Sequence, residues 1–113
     1  MEIRRIDDGF AVAGQIGPQH VEAIAQAGFK SLVCNRPDTE EGAVAHGEIE
    51  DMAKAAGLEW RFIPVVSGAM TQQDVVDMGK ALDELPQPVL AYCRSGARCA
   101  NLYLLVQQMR GQA

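Results

Sequence analysis

The segment Pro88–Cys99, which reads Pro-Val-Leu-Ala-Tyr-Cys-Arg-Ser-Gly-Ala-Arg-Cys, decides the fold. It begins with an apolar run typical of a buried strand, and that run ends at Cys93. A short loop containing Gly96 follows, and apolar residues then recur at helical spacing as far as Met109. A strand, a loop and a helix in this order place Cys93 at the carboxyl end of a strand, where open α/β sheets bind their ligands.

The loop after Cys93 combines two features that favour negative charge. Its backbone N–H groups and the positive end of the following helix both attract an anion. The same groups lower the pKa of a cysteine thiol. We therefore predict that Cys93 is a thiolate nucleophile in an anion-binding loop. Arg98 is predicted to clamp the bound anion and to keep the thiolate ionised.

The other residues of this loop are predicted to contribute to anion binding. Gly96 permits the positive φ that turns the amides of the loop, including that of Ala97, inward. Arg94 attracts an anionic substrate through its side chain or contributes only its amide. Ser95 either donates its hydroxyl to the thiolate or the anion, or is an ordinary turn residue. Cys99 is either a resolving thiol or a small packing residue in the first helical turn.

The spacing within the loop indicates which chemistry it performs. Four residues separate Cys93 from Arg98, which resembles the active loop of rhodanese-type sulfurtransferases. Protein tyrosine and dual-specificity phosphatases keep one residue more at this place. A shorter loop forms a tighter ring of amides, which suits a terminal sulfur atom better than a phosphoryl group with three outer oxygens.

Strands and helices alternate along the rest of the chain. This alternation predicts a three-layer α/β domain with a central sheet of about five strands, formed by residues 1–113 as a single domain. The predicted strands are Ile3–Ile6, Phe10–Ala13, Ser31–Cys34, Leu58–Val65 and Val89–Tyr92. Helices are predicted from Pro18 to Gly28, around Ile49–Ala56, from Thr71 to Leu85, and after the Cys93 loop.

Charge and composition exclude several classes of partner. The net charge is −5 and the basic residues are scattered, so we expect no nucleic-acid partner. The apolar runs are too short for a secretory signal or a membrane span, and the three cysteines do not suggest a disulfide framework. We therefore expect a soluble cytoplasmic protein without a membrane partner. His20 and His46 lack metal-ligand spacing, so we expect neither a metal nor a cofactor.

The run Cys34–Asp38, together with Leu90–Cys99, resembles the phosphatase-like domain family of beta-lactamase hydrolase-like proteins. The resemblance spans nearly the whole chain. It implies a cysteine-phosphatase-like fold, of the protein tyrosine and dual-specificity phosphatase type, and sulfur transfer in members with an assigned activity. It also implies that Arg36 and Asp38 border the cleft that contains Cys93. Some members are fused to a persulfide dioxygenase, and this chain would be a standalone form.

One catalytic element of dual-specificity phosphatases is missing. In those enzymes an Ile-Pro pair precedes a loop that carries the general-acid aspartate, whereas Ile63 and Pro64 here precede residues 65–70, which contain no carboxylate. A placed acid commonly contributes about 10²–10⁴-fold in rate, whereas sulfite leaves readily without one. Asp38 is the nearby candidate for a substitute acid, although Pro37-Asp38 is also ordinary turn chemistry.

Three functions follow from these residues. The leading hypothesis is a rhodanese-like sulfurtransferase, in which Cys93 takes sulfur from a small anionic donor such as thiosulfate and passes it to a thiol acceptor. The second is a phosphatase that hydrolyses a phosphoester through a phosphocysteine. The third is a redox- or anion-sensing module based on Cys93 and Cys99.

Overall fold

A five-stranded sheet forms the centre of the computed structural model, which describes residues 1–111. Helices connect most of the strands, and a short 3-10 turn (Pro18–His20) precedes the first helix. In chain order the elements are β1 (Ile3–Asp7), β2 (Phe10–Ala13), α1 (Val21–Gln26), β3 (Ser31–Cys34), α2 (His46–Ala55), β4 (Glu59–Phe62), α3 (Gln72–Glu84), β5 (Val89–Tyr92) and α4 (Ala97–Gly111).

Strand β5 lies at the centre of the sheet, whose order is β1-β2-β5-β3-β4. β1 is antiparallel to β2, and the other neighbours are parallel. Tyr92 pairs with Ala13 on one side and with Cys34 on the other, and Cys34 is level with Phe62 on β4. Four strands therefore end at the same edge of the sheet, and the loops that follow them meet there.

Two apolar clusters, one on each face of the sheet, form the core. The cluster under α1 and α2 includes Ile24, Leu32 and Ile49. The cluster under α3 and α4 includes Met78 and Leu102, among others. Helices therefore cover both faces, as parallel sheets require, and the predicted three-layer α/β arrangement with five strands is confirmed.

The structure differs from the predicted elements at two boundaries. β4 ends at Phe62 rather than at Val65, although the N–H groups of Ile63 and Val65 still donate to the carbonyls of Cys34 and Asn35. The helix predicted from Pro18 begins as a 3-10 turn, and the α-helix proper starts at Val21. Within residues 1–111, no helix combines the length and the apolar character needed to span a membrane.

Candidate active site

The loop between β5 and α4 surrounds the sulfur atom of Cys93. Cys93 is buried at the end of the central strand, and its N–H donates to the carbonyl of Ala13 at 3.3 Å. The N–H of Gly96 donates to Cys93 Sγ at 3.1 Å. The backbone N–H groups of Ser95 and Cys99 also favour the ionised form of this sulfur. The turn from β5 into α4 therefore surrounds the sulfur atom with amide groups.

These hydrogen bonds make Cys93 an unusually acidic thiol. The largest effect comes from the thiol of Cys99, which donates a hydrogen bond to Cys93, and the backbone N–H groups add to it. Together they outweigh burial and lower the pKa of Cys93 to about 5. Burial and the neighbouring Cys93 raise the pKa of Cys99 well above its usual value. At neutral pH the pair is thus a Cys93 thiolate and a protonated Cys99.

Two glycines allow the loop to pack tightly against the end of β2. Gly96 has a φ of +92°, a conformation that residues other than glycine rarely adopt. A Cβ at this position would lie 3.3 Å from the carbonyl oxygen of Ala13. At Gly14 a Cβ would lie 3.0 Å from the carbonyl oxygen of Arg94. The N–H of Gln15 donates to that same carbonyl at 3.2 Å. The loop is therefore fixed to the sheet on the side of β2.

Arg98 is held by a carboxylate that the sequence analysis did not single out. Its Nη1 donates to Glu40 Oε2 at 2.8 Å and to the carbonyl of Val65 at 2.9 Å, and its Nη2 donates to Glu40 Oε1 at 3.2 Å. The Arg98 side chain is only 10% exposed. Its Nε is buried and has no hydrogen-bond partner among residues 1–111, and Glu40 engages Nη2 through only one hydrogen bond, so the guanidinium keeps N–H donors for an anion.

Arg36 lies behind this pair and supports it. Its Nε donates to Glu40 Oε1 at 3.0 Å, its Nη1 to Gln15 Oε1 at 3.0 Å, and its Nη2 to the carbonyl of Glu41 at 2.7 Å. Each of its three nitrogens is therefore engaged within the protein. Arg36 therefore holds Glu40 where it can bind Arg98, and it lines the cavity that adjoins the one at Cys93.

Cys93 opens onto a cavity of about 890 Å³. Arg94, Ser95, Ala97 and Arg98 line it together with Cys93, so the structure gathers these predicted site residues around one space. Its remaining lining residues are Val66, Ser67, Gly68, Met70, Asn101, Leu104 and Leu105. A second cavity of about 800 Å³ adjoins it and shares Arg94, Arg98, Val66 and Ser67; Arg36, Glu40, Glu41 and Gly42 complete its lining.

The sequence left two possible roles open for Ser95 and for Cys99, and the structure shows where each side chain lies. The Oγ of Ser95 accepts a hydrogen bond from the N–H of Ala97 at 3.3 Å, as a residue that caps the start of a helix does. Cys99 is fully buried and lies outside the lining of the cavity. It therefore contacts Cys93 from the protein interior, on the side away from any substrate.

Asp38 does not border the Cys93 cavity, so this expectation is corrected. Its Oδ1 accepts from the N–H of His46 at 2.9 Å, and its Oδ2 is 2.7 Å from His46 Nδ1. Asp38 therefore binds the first residue of α2, where a carboxylate satisfies a free helical N–H group. The local turn and the start of the helix determine its position, and it is not placed to act as a substitute acid.

None of the described residues that line the Cys93 cavity carries a carboxylate. Glu40 borders the adjoining cavity, but the hydrogen bonds from Arg98, followed by those from Arg36, lower its pKa. Glu40 is thus an ionised partner of two arginines and not a proton donor. The site combines a thiolate, amide donors and an arginine, and can form a covalent bond to a group delivered by an anion.

A thiolate at the end of the central strand, an amide-lined loop and a following arginine define a cysteine-phosphatase-like domain. Solved structures with this fold place the chain in the same class. Residues 2–110 also match the family described as the phosphatase-like domain of beta-lactamase hydrolase-like proteins, and the chain belongs to that family.

Relatives of the chain are considerably longer than it is. It is 33% identical over 113 residues to a beta-lactamase hydrolase-like protein of Agrobacterium fabrum, and 31% identical to one of Xylella fastidiosa. In both cases the match covers 99% of this chain and 26% of the relative. The chain therefore spans about a quarter of the length of these relatives.

Solved structures share the fold over most of the chain. A candidate phosphatase from Neisseria meningitidis has a TM-score of 0.82 at 33% identity, over 91% of this chain and 74% of that one. The core catalytic domain of the PP-IP phosphatase SIW14 of S. cerevisiae has a TM-score of 0.70 at 14% identity, over 96% of this chain and 66% of that one. The second likeness concerns the fold alone.

Proposed function

We propose that this domain is a cysteine-dependent phosphatase. In the first step the Cys93 thiolate attacks the phosphorus atom of a phosphate monoester, the bond from phosphorus to the leaving oxygen breaks, and a phosphocysteine forms. Water then cleaves the bond between phosphorus and sulfur, which releases inorganic phosphate and returns the thiolate. The observation that carries the proposal is the Cys93 thiolate, of pKa about 5, surrounded by amide donors and facing the cavity that Arg98 lines.

No carboxylate is found among the described residues that line the Cys93 cavity, and this restricts the substrates of such a phosphatase. A leaving alkoxide needs a proton, and a placed general acid commonly contributes about 10²–10⁴-fold in rate. Aryl esters and mixed anhydrides release weaker bases, which depart without a proton. We therefore expect activity towards activated phosphates and very little towards simple alkyl phosphates.

Hydrolysis of 4-nitrophenyl phosphate tests the proposal. We expect phosphate release by the wild type, complete loss in Cys93→Ser, and retention in the matched control Cys34→Ser. Cys34 is also buried, but it donates to the carbonyl of Arg36 and does not line the cavity. Equal rates for the wild type and Cys93→Ser, or no hydrolysis by either, would reject the phosphatase.

Sulfur transfer is the second candidate, and two observations favour it. The loop has four residues between Cys93 and Arg98, and the cavity lacks an acid among the described residues. In this reaction the thiolate attacks the outer sulfur of thiosulfate, the sulfur–sulfur bond breaks, and sulfite leaves with the electron pair. A thiolate acceptor then takes the sulfur from the Cys93 persulfide and restores Cys93.

Intact-protein mass spectrometry separates the two candidates. An aryl phosphate should add the mass of one phosphoryl group to Cys93, whereas thiosulfate should add the mass of one sulfur atom. The sulfur-transfer reaction predicts thiocyanate when cyanide is the acceptor. A sulfur adduct with thiocyanate and without phosphate release would replace the phosphatase by a sulfurtransferase. A phosphoryl adduct alone would exclude sulfur transfer from thiosulfate.

A further inference from the structure

The lining of the Cys93 cavity combines two kinds of side chain. Arg94 and Arg98 attract an anion to Cys93. Val66, Leu104 and Leu105 also line the cavity, and they are 58%, 55% and 40% exposed, respectively. Single apolar side chains on a protein surface are ordinary, but several that share one cavity mark a site that binds an apolar group.

The leucine pair in this lining lies outside the two apolar clusters of the core. Helix α4 buries Cys99, Leu102 and Val106 against the sheet and leaves Leu104 and Leu105 on its outer side. These two side chains lie about two turns along the helix that begins at the active-site loop. They are therefore held at a fixed position relative to Cys93 while their surface remains free.

The charges around the site attract an anionic group. Arg94 and Arg98 are the charged residues among the described lining of the Cys93 cavity. The adjoining cavity is lined by Arg36, Glu40 and Glu41 and shares Arg94 and Arg98 with it. Arg36 donates to the Glu40 carboxylate and to the backbone carbonyl of Glu41, and Glu40 also pairs with Arg98. The charge around Cys93 is therefore suited to an anionic group on the substrate.

We propose that the substrate of this site is a small molecule in which an anionic group is joined to an apolar body. The anionic group lies at Cys93 and Arg98, and the apolar body lies on Val66, Leu104 and Leu105. The cavity, at about 890 Å³, falls within the range of roughly 300–1,000 Å³ found for small-molecule sites. This inference rests on the proposed function for the reacting group, but it concerns the part of the substrate that does not react.

A series of phosphonates of increasing chain length tests the inference without any turnover. Methyl-, butyl- and octylphosphonate carry the same anionic group and cannot be hydrolysed at the phosphorus–carbon bond. Their binding is measured by calorimetry and by protection of Cys93 from iodoacetamide. We expect the dissociation constant to fall about fourfold for each methylene group that becomes buried, so that octylphosphonate binds at least tenfold more tightly than methylphosphonate.

Two substitutions locate the apolar body. Leu104→Gln should reduce the advantage of octylphosphonate several-fold and leave the binding of methylphosphonate unchanged. The matched control is Val76→Gln, since Val76 is also exposed, at 43%, but lies on α3 outside the cavity. We expect it to retain the full dependence on chain length.

Each outcome bears on one proposal or the other. Equal affinities for methyl- and octylphosphonate, or the same chain-length dependence in Leu104→Gln as in the wild type, would overturn the apolar-body inference. Binding that increases with chain length supports it, even when 4-nitrophenyl phosphate is not hydrolysed. In that case only the phosphatase proposal fails.

Discussion

Glu40 binds both terminal nitrogens of Arg98, with Nη1 at 2.8 Å from Oε2 and Nη2 at 3.2 Å from Oε1. The carboxylate therefore fixes the guanidinium plane, and the buried Nε has no partner among the residues that the structure describes. Glu40 thereby acts as a positioning residue for the arginine that meets the anion. This ion pair is largely buried, so loss of one partner is costly.

The first prediction concerns this ion pair. Glu40→Gln should weaken binding of inorganic phosphate and lower kcat/KM by about tenfold, because one charge-assisted hydrogen bond to Arg98 is lost. The pH dependence of Cys93 alkylation should not change, because the pKa of Cys93 depends on Cys99 and the loop amides. Calorimetry and alkylation rates measure the two effects. A shifted alkylation profile would mean that the substitution disturbs the loop itself.

The second prediction concerns the thiol behind the nucleophile. Cys99→Ala removes the hydrogen bond that most strongly stabilises the Cys93 thiolate, so the pKa of Cys93 should rise by about one unit. Cys99→Ser keeps a donor and should produce a smaller rise. The midpoint of the alkylation rate against pH measures both. An unchanged midpoint in Cys99→Ala would show that the amides alone determine the acidity.

The third prediction concerns the pH dependence of stability. The pKa of Cys93 is lowered from 9.0 to about 5 on folding, so the thiolate stabilises the folded state fully above pH 9 and loses this effect as the pH falls towards 5. The free energy of unfolding of the wild type, minus that of Cys93→Ser, should therefore increase between about pH 5 and pH 9. Urea unfolding at several pH values measures it. A difference that is constant with pH contradicts a lowered pKa.

The fourth prediction concerns the turn of the loop. Gly96→Ala should destabilise the domain by about 1–3 kcal/mol, because a side chain at a φ of +92° is strained. It should also slow the alkylation of Cys93 at pH 6, since the Gly96 N–H is one of its donors. Gly47→Ala is the control: Gly47 lies in α2 with open space around it. We expect that substitution to be neutral or slightly stabilising.

The fifth prediction supplies the missing acid. Ser67 lines both cavities, so Ser67→Asp places a carboxyl group beside the leaving group. If the phosphatase proposal is right, hydrolysis of alkyl phosphates should increase by up to about tenfold relative to aryl phosphates. Ser67→Asn has a similar shape without a titratable proton and should show no such change. No gain in Ser67→Asp would show that protonation does not limit the reaction.

The sequence was sufficient to predict the arrangement around Cys93 because the signals there are local. An apolar run followed by a glycine-containing loop and a helical repeat fixes the order of strand, turn and helix. The alternation of such units predicts the three layers. Residues that act through distant partners are different: Glu40 lies 58 positions before Arg98, and no local pattern links them. Only its spacing of four residues from Arg36 hints that it is engaged.

The prediction for Asp38 was wrong because a local contact determines the position of this residue. A carboxylate in a loop after a strand is compatible with a cleft, but the start of α2 uses it locally as the partner of His46. The number of residues between Cys93 and Arg98 was also not sufficient to decide whether phosphate or sulfur is the transferred group. The family and the fold support the phosphatase alternative more than the sulfurtransferase favoured from the sequence, and the sensing role of Cys93 and Cys99 stays a prediction.

The central position of β5 has a consequence for how this domain could change its substrate. Tyr92 pairs with Ala13 on one side and with Cys34 on the other. The backbone that carries the Cys93 sulfur therefore cannot shift unless the hydrogen bonds to both neighbouring strands break. The wall formed by residues 66–70 has no such restraint. New specificities should therefore be obtained by redesigning that wall, while the chemical step below it remains intact.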